Sequence, residues 1–428
     1  MDADGLKPGA AERPSQTPDE AASVEQPSHF VRPQALRNLL PEHRAEERTS
    51  TWLELFFDLC FVVAVAALAR GLHDEPNLGG ALRFLGLFVP VWWSWMIFTW
   101  YATAFDNDDV PYRVTLLAAM LCMLGLAASV EGVGAEAEAA VGFVVTYATM
   151  RFLLAGLFLR ALRHAPADVR SFVVFYAAGN GIGAAIWLSS LLVPEPGRYA
   201  LWALGLLVEL LAPILAVRTL ENPRVSFHPR HIAERYGLFT IIVLGESVLA
   251  VAAGTADTDW APSAVLTAAL GFVAAACIWW LYFDHVGSSG IELGPLPAFY
   301  WGYGHLAVYA GIAAFGVGTQ LAVEAAGAGS AHSALALAAG VPTGGDYGLG
   351  ARVALAGGVA LYLFGIAFVD RVNEGVANGT ALSARLRTAA FLLALAVAGS
   401  PLPPLAFMTL VVVALLALTA FEAVSASP

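Results

Sequence analysis

Long apolar stretches recur along almost the whole chain, and polar residues fall mainly between them. Windows of about 18 or more mainly apolar residues cross a hydrocarbon layer as a helix, at a rise of about 1.5 Å per residue. Twelve such spans are predicted, at residues 52 to 72, 81 to 103, 114 to 131, 139 to 161, 170 to 193, 199 to 219, 232 to 253, 262 to 284, 298 to 323, 351 to 369, 385 to 400 and 403 to 423. The pattern predicts an all-α fold, a polytopic membrane helical bundle of about 12 transmembrane helices.

The pattern changes at the two ends of the chain. Residues 1 to 45 are polar and rich in Pro, Glu and Ser, so we predict a disordered cytoplasmic tail that is not a signal peptide. Residues 46 to 425 form the predicted multi-pass transmembrane domain. Prolines between residues 401 and 404 leave either a tight hairpin between the last two spans or one broken segment.

Composition agrees with a membrane protein, because 58% of the residues are hydrophobic and only 13% are charged. With the N-terminus inside, most arginines fall in cytoplasmic segments, and Arg70, Arg83, Arg198 and Arg352 fall on the opposite face. This asymmetry predicts that both termini are cytoplasmic. Lys7 is the only lysine, and such avoidance of lysine is typical of a GC-rich bacterial genome. We therefore expect the lipid bilayer of a bacterial cytoplasmic membrane as the surroundings.

Two tryptophan pairs suggest an internal repeat. Trp92 and Trp93 lie in the second span, and Trp279 and Trp280 lie near the end of the eighth. They predict parallel halves of six spans each, residues 46 to 225 and 226 to 425, with a transport site near the interface between the repeats. The alternative is that the tryptophans mark the two membrane–water interfaces.

Four sequence motifs carry a resemblance to a known family. They are "ELFFDLCFV" from Glu54, "HIAERYGLFTIIVLGESVLAV" from His231, "WWLYFDH" in the eighth span and "YGHLAVYAGI" in the ninth. With these motifs the chain resembles the bacterial low temperature requirement A family over roughly residues 45 to 420. The family is named for a growth phenotype in the cold, so the resemblance implies a membrane protein but no biochemical activity.

The first span carries two carboxylates one helical turn apart. Glu54 and Asp58 lie on one face of the helix, and two carboxylates facing lipid would cost at least a few kcal/mol each. We therefore expect them to face the bundle interior or a water-filled cavity. In the alternative interpretation, Glu54 lies at the interface and pairs with Arg48.

The seventh span carries a second set of charges. Glu246 lies well inside the bilayer, beside Gly245, which lets another backbone approach closely. Either Glu246 has a functional role or it forms a structural pair with Arg151 or His305. Arg235 is interpreted as a topology anchor, with Glu234 as its partner.

Other spans also carry polar residues. Arg151 in the fourth span needs a partner, for which Glu246 and Asp58 are candidates, and Glu209 is a deep carboxylate in the sixth. His305 is either a structural hydrogen-bonding group or a proton relay. Asn180 lies in "AAGNGIGAA", which predicts either an interrupted helix or close helix packing. The candidate pathway residues are Glu54, Asp58, Arg151, Asn180, Glu209, Glu234, Glu246 and His305.

Other chemistry has little support in the sequence. Nucleotide-binding, nucleophile-elbow and zinc-protease motifs are absent, and no basic patch favours nucleic acid, so we expect neither an enzyme nor a cofactor. A zinc site at "HPRH" (residues 228 to 231) with Glu234 is a weak alternative, because no buried second shell supports it.

The favoured hypothesis is a secondary transporter or permease, because buried carboxylates can exchange protons or bind cations. The expected substrate is an ion or a small molecule, and no motif in the sequence specifies which one. In its sharpest form, Asp58 and Glu246 line one polar cavity, with Arg151 or His305 close enough to tune them. The alternatives are a cation channel and a non-transporting membrane protein of stress response or signalling.

Overall fold

The computed structural model describes residues 49–105, 108–134, 136–165, 167–219, 228–256, 258–285, 291, 294–339, 347–373 and 379–425. Within these residues the regular structure is helical, and twelve helices are long and apolar enough to cross a membrane. The predicted all-α bundle of twelve spans is thus confirmed. The predicted tail, residues 1 to 45, lies outside the described residues.

Each helix corresponds to one predicted span. The bounds are α1 Trp52–Asp74, α2 Leu78–Phe105, α3 Val110–Val130, α4 Ala137–Leu162, α5 Ala167–Ser189, α6 Gly197–Thr219, α7 Pro229–Ala256, α8 Pro262–His285, α9 Pro295–Ala339, α10 Leu349–Val372, α11 Gly379–Ala398 and α12 Pro404–Ser425. The largest difference is α9, which has 45 residues and extends beyond the predicted apolar window at both ends.

Local sequence signals explain several helix ends. Thr51 caps α1. Its side chain accepts the backbone N–H of Glu54, and the Glu54 carboxylate accepts the backbone N–H of Thr51. Helices α7, α8, α9 and α12 begin with proline, which fits the first turn because its missing N–H would be unpaired there. Helix α11 ends at Ala398, α12 begins at Pro404, and the two helices contact each other, so the chain forms the tight hairpin of the two alternatives.

Helix α1 lies near the centre of the helix packing. It contacts α2, α3, α7 and α9, while α3, α4, α5 and α6 pack in sequence on one side. On the other side α9 packs against α7, α8 and α10, α10 packs against α11, and α12 lies against α8. The α1–α7 contact therefore joins the two halves of the chain.

The internal repeat is not confirmed. Trp92 and Trp93 are buried, whereas Trp279 and Trp280 are 47% and 49% exposed, so the two pairs have different surroundings. Helix α1 packs on α2 and α3, as α7 packs on α8 and α9. The repeat accordingly stays a prediction, and the tryptophan pairs do not support it.

Glycines bring α9 and α10 into close contact. A Cβ atom at Gly318 of α9 would lie 2.1 Å from the backbone nitrogen of Leu355, and one at Gly358 of α10 would lie 2.6 Å from that of Phe315. At these two positions only glycine lets the backbones approach so closely. Leu355 belongs to a short π-helical turn, Val353–Gly357.

Candidate functional site

A buried cluster of charged residues joins α1, α2 and α7. The guanidinium of Arg235 donates from Nε to Asp58 Oδ2 at 3.2 Å, and a second N–H donates to the other carboxylate oxygen. Trp95 Nε1 donates to Asp58 Oδ1 at 2.7 Å. Asp58 and Arg235 are 0% and 1% exposed. The Asp58 carboxylate is thus held on both sides by donors from other helices.

Glu54 extends this cluster by one turn of α1. Its Oε1 lies 3.2 Å from Arg235 NH1, and its Oε2 lies 3.5 Å from His231 Nε2. The other ring nitrogen of His231 lies 3.0 Å from Thr103 Oγ1. Glu54, Asp58, His231 and Arg235 are called the α1–α7 charge cluster below.

The cluster brings titratable side chains of both signs together inside the bundle. Two carboxylates, one guanidinium and one imidazole lie within 3.5 Å of a neighbour in the cluster. Charged side chains at such a position are costly unless they are paired or hydrated. The cluster is therefore a candidate site for the exchange of protons, because carboxylates and imidazole are the groups that titrate most readily.

The surroundings of Arg235 correct two expectations from the sequence. Arg235 is buried against Asp58 and Glu54, so it is not a surface anchor paired with its neighbour. Glu234 is exposed, and its carboxylate accepts the Ser50 N–H at 3.3 Å. The other proposed partner of Glu54, Arg48, lies outside the described residues.

A second buried cluster lies near the middle of α2, α4, α5 and α6. Arg151 Nε lies 3.8 Å from Glu209 Oε2, and Arg151 NH1 donates to Asn180 Oδ1 at 3.3 Å. Tyr147 donates to Glu209 Oε2 at 2.6 Å, and Arg151 also donates to the Ser94 hydroxyl. The expected pairing of Arg151 with Asp58 or Glu246 is wrong, because Glu209 and Asn180 occupy its guanidinium.

Asn180 lies in an unbroken part of α5. The segment "AAGNGIGAA" is helical throughout, and a Cβ atom at Gly179 would lie 2.4 Å from that of Ala212 in α6. A Cβ atom at Gly183 would lie 2.4 Å from Glu209 Oε1. Of the two alternatives for this motif, the structure has the close packing of α5 on α6.

Glu246 lies in a different environment from Asp58. It is half-buried and lines a pocket of about 280 Å3 between α1, α7 and α9. The pocket, called the Glu246 pocket below, is lined by Val65, Ala66, Ala69, Arg70, Val243, Glu246, Ser247, Leu249, Ala250, Ala253, Ala313, Gly316, Val317 and Gln320. Asp58 does not line it, so the two carboxylates do not share this pocket.

Aromatic side chains fill the space between the Glu246 pocket and the α1–α7 charge cluster. The rings of Trp95 and Phe239 stack at 4.3 Å, and Tyr309 meets Phe239 edge-on at 4.9 Å. Tyr309 also donates to the Tyr236 carbonyl at 3.1 Å. Trp95, Phe239 and Tyr309 are called the aromatic layer below, and they are buried within the bundle.

His305 lies among aromatic rings beside this layer. Its Nδ1 lies 2.9 Å from the Trp301 carbonyl, and its Nε2 lies 3.1 Å from the Tyr282 hydroxyl. A carbonyl can only accept, so Nδ1 carries the proton and Nε2 accepts from Tyr282. This arrangement matches the structural hydrogen-bonding role, and Glu246 is not its partner in these bonds.

A third buried cluster was missed by the sequence reasoning. Arg385 of α11 donates from Nε to Glu422 Oε1 and from NH2 to Oε2, both at 2.8 Å, and also donates to Asp370. The residues lie at the end of α10, the start of α11 and the end of α12. Each of these three charges lies at one end of a predicted apolar span, and this was a usable signal. Successive antiparallel helices bring the end of one span beside the start of the next.

The chain is similar to known proteins along most of its length. The chain matches the family of bacterial low temperature requirement A protein (LtrA) over residues 49–420. The chain belongs to the LtrA family. It is 27% identical over 420 residues to an uncharacterized protein, RA0937, of Rhizobium meliloti (strain 1021), with 93% of each chain covered. No solved structure matches the chain significantly.

The segments that carry the LtrA resemblance meet in space. The first motif contains Glu54 and Asp58, and the second contains His231, Arg235 and Glu246. Together they supply every member of the α1–α7 charge cluster and the one carboxylate of the Glu246 pocket. In this LtrA protein the α1–α7 interface is therefore the candidate functional site.

Proposed function

We propose that this LtrA family member is a secondary transporter or permease of the bacterial cytoplasmic membrane. Carboxylates on α1 and α7 supply its proton or cation coupling. The observation that carries the proposal is the α1–α7 interface, which holds a buried cluster of titratable side chains at one level and a pocket with one half-buried carboxylate at another.

The Glu246 pocket is open and the α1–α7 charge cluster is buried, which supports alternating access of a substrate to the interface. The Glu246 pocket extends from Ala253 to Val243, about 15 Å along α7 at the helical rise. From Val243 to Arg235 is a further distance of about 12 Å, occupied by the aromatic layer. A substrate in the pocket therefore cannot pass the layer without a movement of the helices, as expected for a carrier.

Proton uptake gives such a movement a driving force. A proton on Asp58 removes one of the two ion pairs of Arg235 and leaves a weaker hydrogen bond from the charged guanidinium to a neutral carboxyl group. The contacts that tie α1 to α7 would then be loosened, because Arg235 reaches both Glu54 and Asp58. Coupling follows if cargo in the Glu246 pocket favours one of the two arrangements.

The packing of the interface favours a carrier over the alternative of a cation channel. Among the described residues the aromatic layer fills the α1–α7 route, and a pore needs a continuous wet path. The arginine distribution suggests that the α1–α7 charge cluster is near the cytoplasmic side, where α1 begins.

Flux in proteoliposomes tests the proposal. The purified full-length chain is reconstituted with a trapped pH-sensitive dye, a proton gradient is imposed, and Na⁺, K⁺ or n-butylammonium is added outside. A coupled carrier changes the decay of the gradient when one of these cations is added. Cation current without any proton gradient would show a channel, and no response relative to protein-free vesicles across the panel would contradict transport.

A further inference from the structure

The Glu246 pocket presents one carboxylate that has no hydrogen-bonded partner among the described residues. Glu246 lies ten residues before the end of α7, about 15 Å along the helix, and makes no hydrogen bond or ion pair with the residues that the structure describes. A carboxylate at that depth is costly unless it is hydrated or paired. Its charge is therefore available to whatever fills the pocket.

Two neighbouring side chains add hydrogen-bond acceptors. The Ser247 hydroxyl donates to the Ile312 carbonyl at 3.1 Å, so its oxygen lone pairs remain for a donor. Gln320 Nε2 donates to Glu324 Oε1 at 2.9 Å, which leaves its amide oxygen as an acceptor. The pocket thus offers a negative carboxylate and two neutral acceptors to a group rich in N–H donors.

The basic residue of the pocket has its own partner. Arg70 Nε lies 2.9 Å from Glu131 Oε1, and both side chains are more than half exposed. This pair draws the guanidinium toward the end of α3, so Arg70 acts on Glu246 through its charge and not through a hydrogen bond. The repulsion between Arg70 and a bound cation is smallest when the cation carries a single charge.

The size and walls of the pocket favour an organic cation over a metal ion. A volume of about 280 Å3 equals roughly nine water molecules at about 30 Å3 each, and the walls include Val65, Val243 and Val317. Hard metal ions take about six or more oxygen ligands, whereas this pocket has one carboxylate. Within the described ranges, no group of three or more His, Cys, Asp or Glu side chains could hold a metal.

We propose that the Glu246 pocket binds a small organic ammonium compound, with its N–H donors on Glu246, Ser247 and Gln320 and its short apolar body on the valine and alanine walls. As the cargo class of the carrier, this inference rests on the proposed transport function. Binding at equilibrium nevertheless requires no flux, so the two ideas can fail separately.

Equilibrium dialysis of the detergent-purified full chain with radiolabelled n-butylammonium tests the inference. We expect saturable binding that excess n-butylammonium displaces and that n-butanol, butyrate, Na⁺ and K⁺ do not. Glu246→Gln should weaken binding by about tenfold or more, because the ion pair and the charge-assisted hydrogen bond are lost. Glu138→Gln removes an exposed carboxylate at the start of α4 and should bind like the wild type.

A second variant guards against loss of folding in the first. Ala250→Leu fills the apolar wall and leaves Glu246 in place, so it should weaken n-butylammonium more than methylammonium. Absence of saturable binding to the wild type, equal displacement by Na⁺ or n-butanol, or wild-type affinity in Glu246→Gln would overturn the inference. Binding without flux would remove the transport function and keep the site, whereas flux without ammonium binding would do the reverse.

Discussion

At the scale of single residues, Arg235 organises the charges of the α1–α7 interface. It contacts the carboxylates of both Glu54 and Asp58, and all three side chains are buried. Removing one partner of a buried ion pair typically costs about 3–5 kcal/mol, because the remaining charge is left uncompensated. The cost should therefore depend on which of the three residues is neutralised.

A double-mutant comparison tests this arrangement. Arg235→Gln should lower the free energy of unfolding by about 3–5 kcal/mol, because it leaves two buried carboxylates facing each other. Adding Asp58→Asn removes one of these carboxylates and should restore part of the loss. The measurement is the melting temperature of the single and double variants in one detergent.

A matched surface pair provides the control for that comparison. Arg113 and Asp108 form an ion pair in which both side chains are more than half exposed, so Arg113→Gln should cost less than about 1 kcal/mol. A double variant of Arg235 and Asp58 that melts below Arg235→Gln alone would contradict the assigned pairing.

The burial of these residues could be predicted from the sequence, but the side chains with which they pair could not. The length of the first span predicted that Asp58 could not face lipid, and the structure buries it. The partner of Arg151 was predicted wrongly, because several carboxylates lie deep enough and only packing selects Glu209. The burial of Arg235 was not predicted, because a residue near the start of a helix usually reaches water, whereas the start of α7 is covered by α1 and α2.

At the scale of helices, the α9–α10 contact depends on residues that have almost no side chain. Gly318→Ala would place a Cβ atom 2.1 Å from the backbone nitrogen of Leu355, which cannot rotate away. We expect a loss of about 1–3 kcal/mol of stability, as in overpacked cores. Melting of the variant in detergent measures it.

Another helical glycine separates packing from helix propensity. A Cβ atom at Gly86 in α2 would meet nothing within 4 Å, so Gly86→Ala should leave the melting temperature unchanged or raise it slightly. Equal melting of the Gly318 and Gly86 variants would contradict the close contact. The sequence could predict each helix from its apolar length, but not which glycines face a neighbour, because the rotation of a helix follows from packing.

At the scale of the whole molecule, the arginine asymmetry predicts which loops face outside. Asp259 is exposed between α7 and α8, and Arg163 is exposed between α4 and α5. In a chain with its three native cysteines replaced, Asp259→Cys should react with an impermeant maleimide in intact cells. Arg163→Cys should react only after permeabilisation, since basic loops stay in the cytoplasm. The reverse pattern of labelling would overturn the orientation.

The central claim is that Asp58 of the α1–α7 charge cluster couples protons to transport. The most direct measurement is proton flux in proteoliposomes with an imposed gradient and added cation, for the wild type, Asp58→Asn and the exposed-pair control Asp108→Asn. Glu54 still neutralises Arg235 in Asp58→Asn, so the melting temperature of this variant should fall less than that of Arg235→Gln. We predict that Asp58→Asn loses cation-dependent proton flux, by about tenfold or more, whereas Asp108→Asn keeps it. Wild-type flux in Asp58→Asn would contradict the claim.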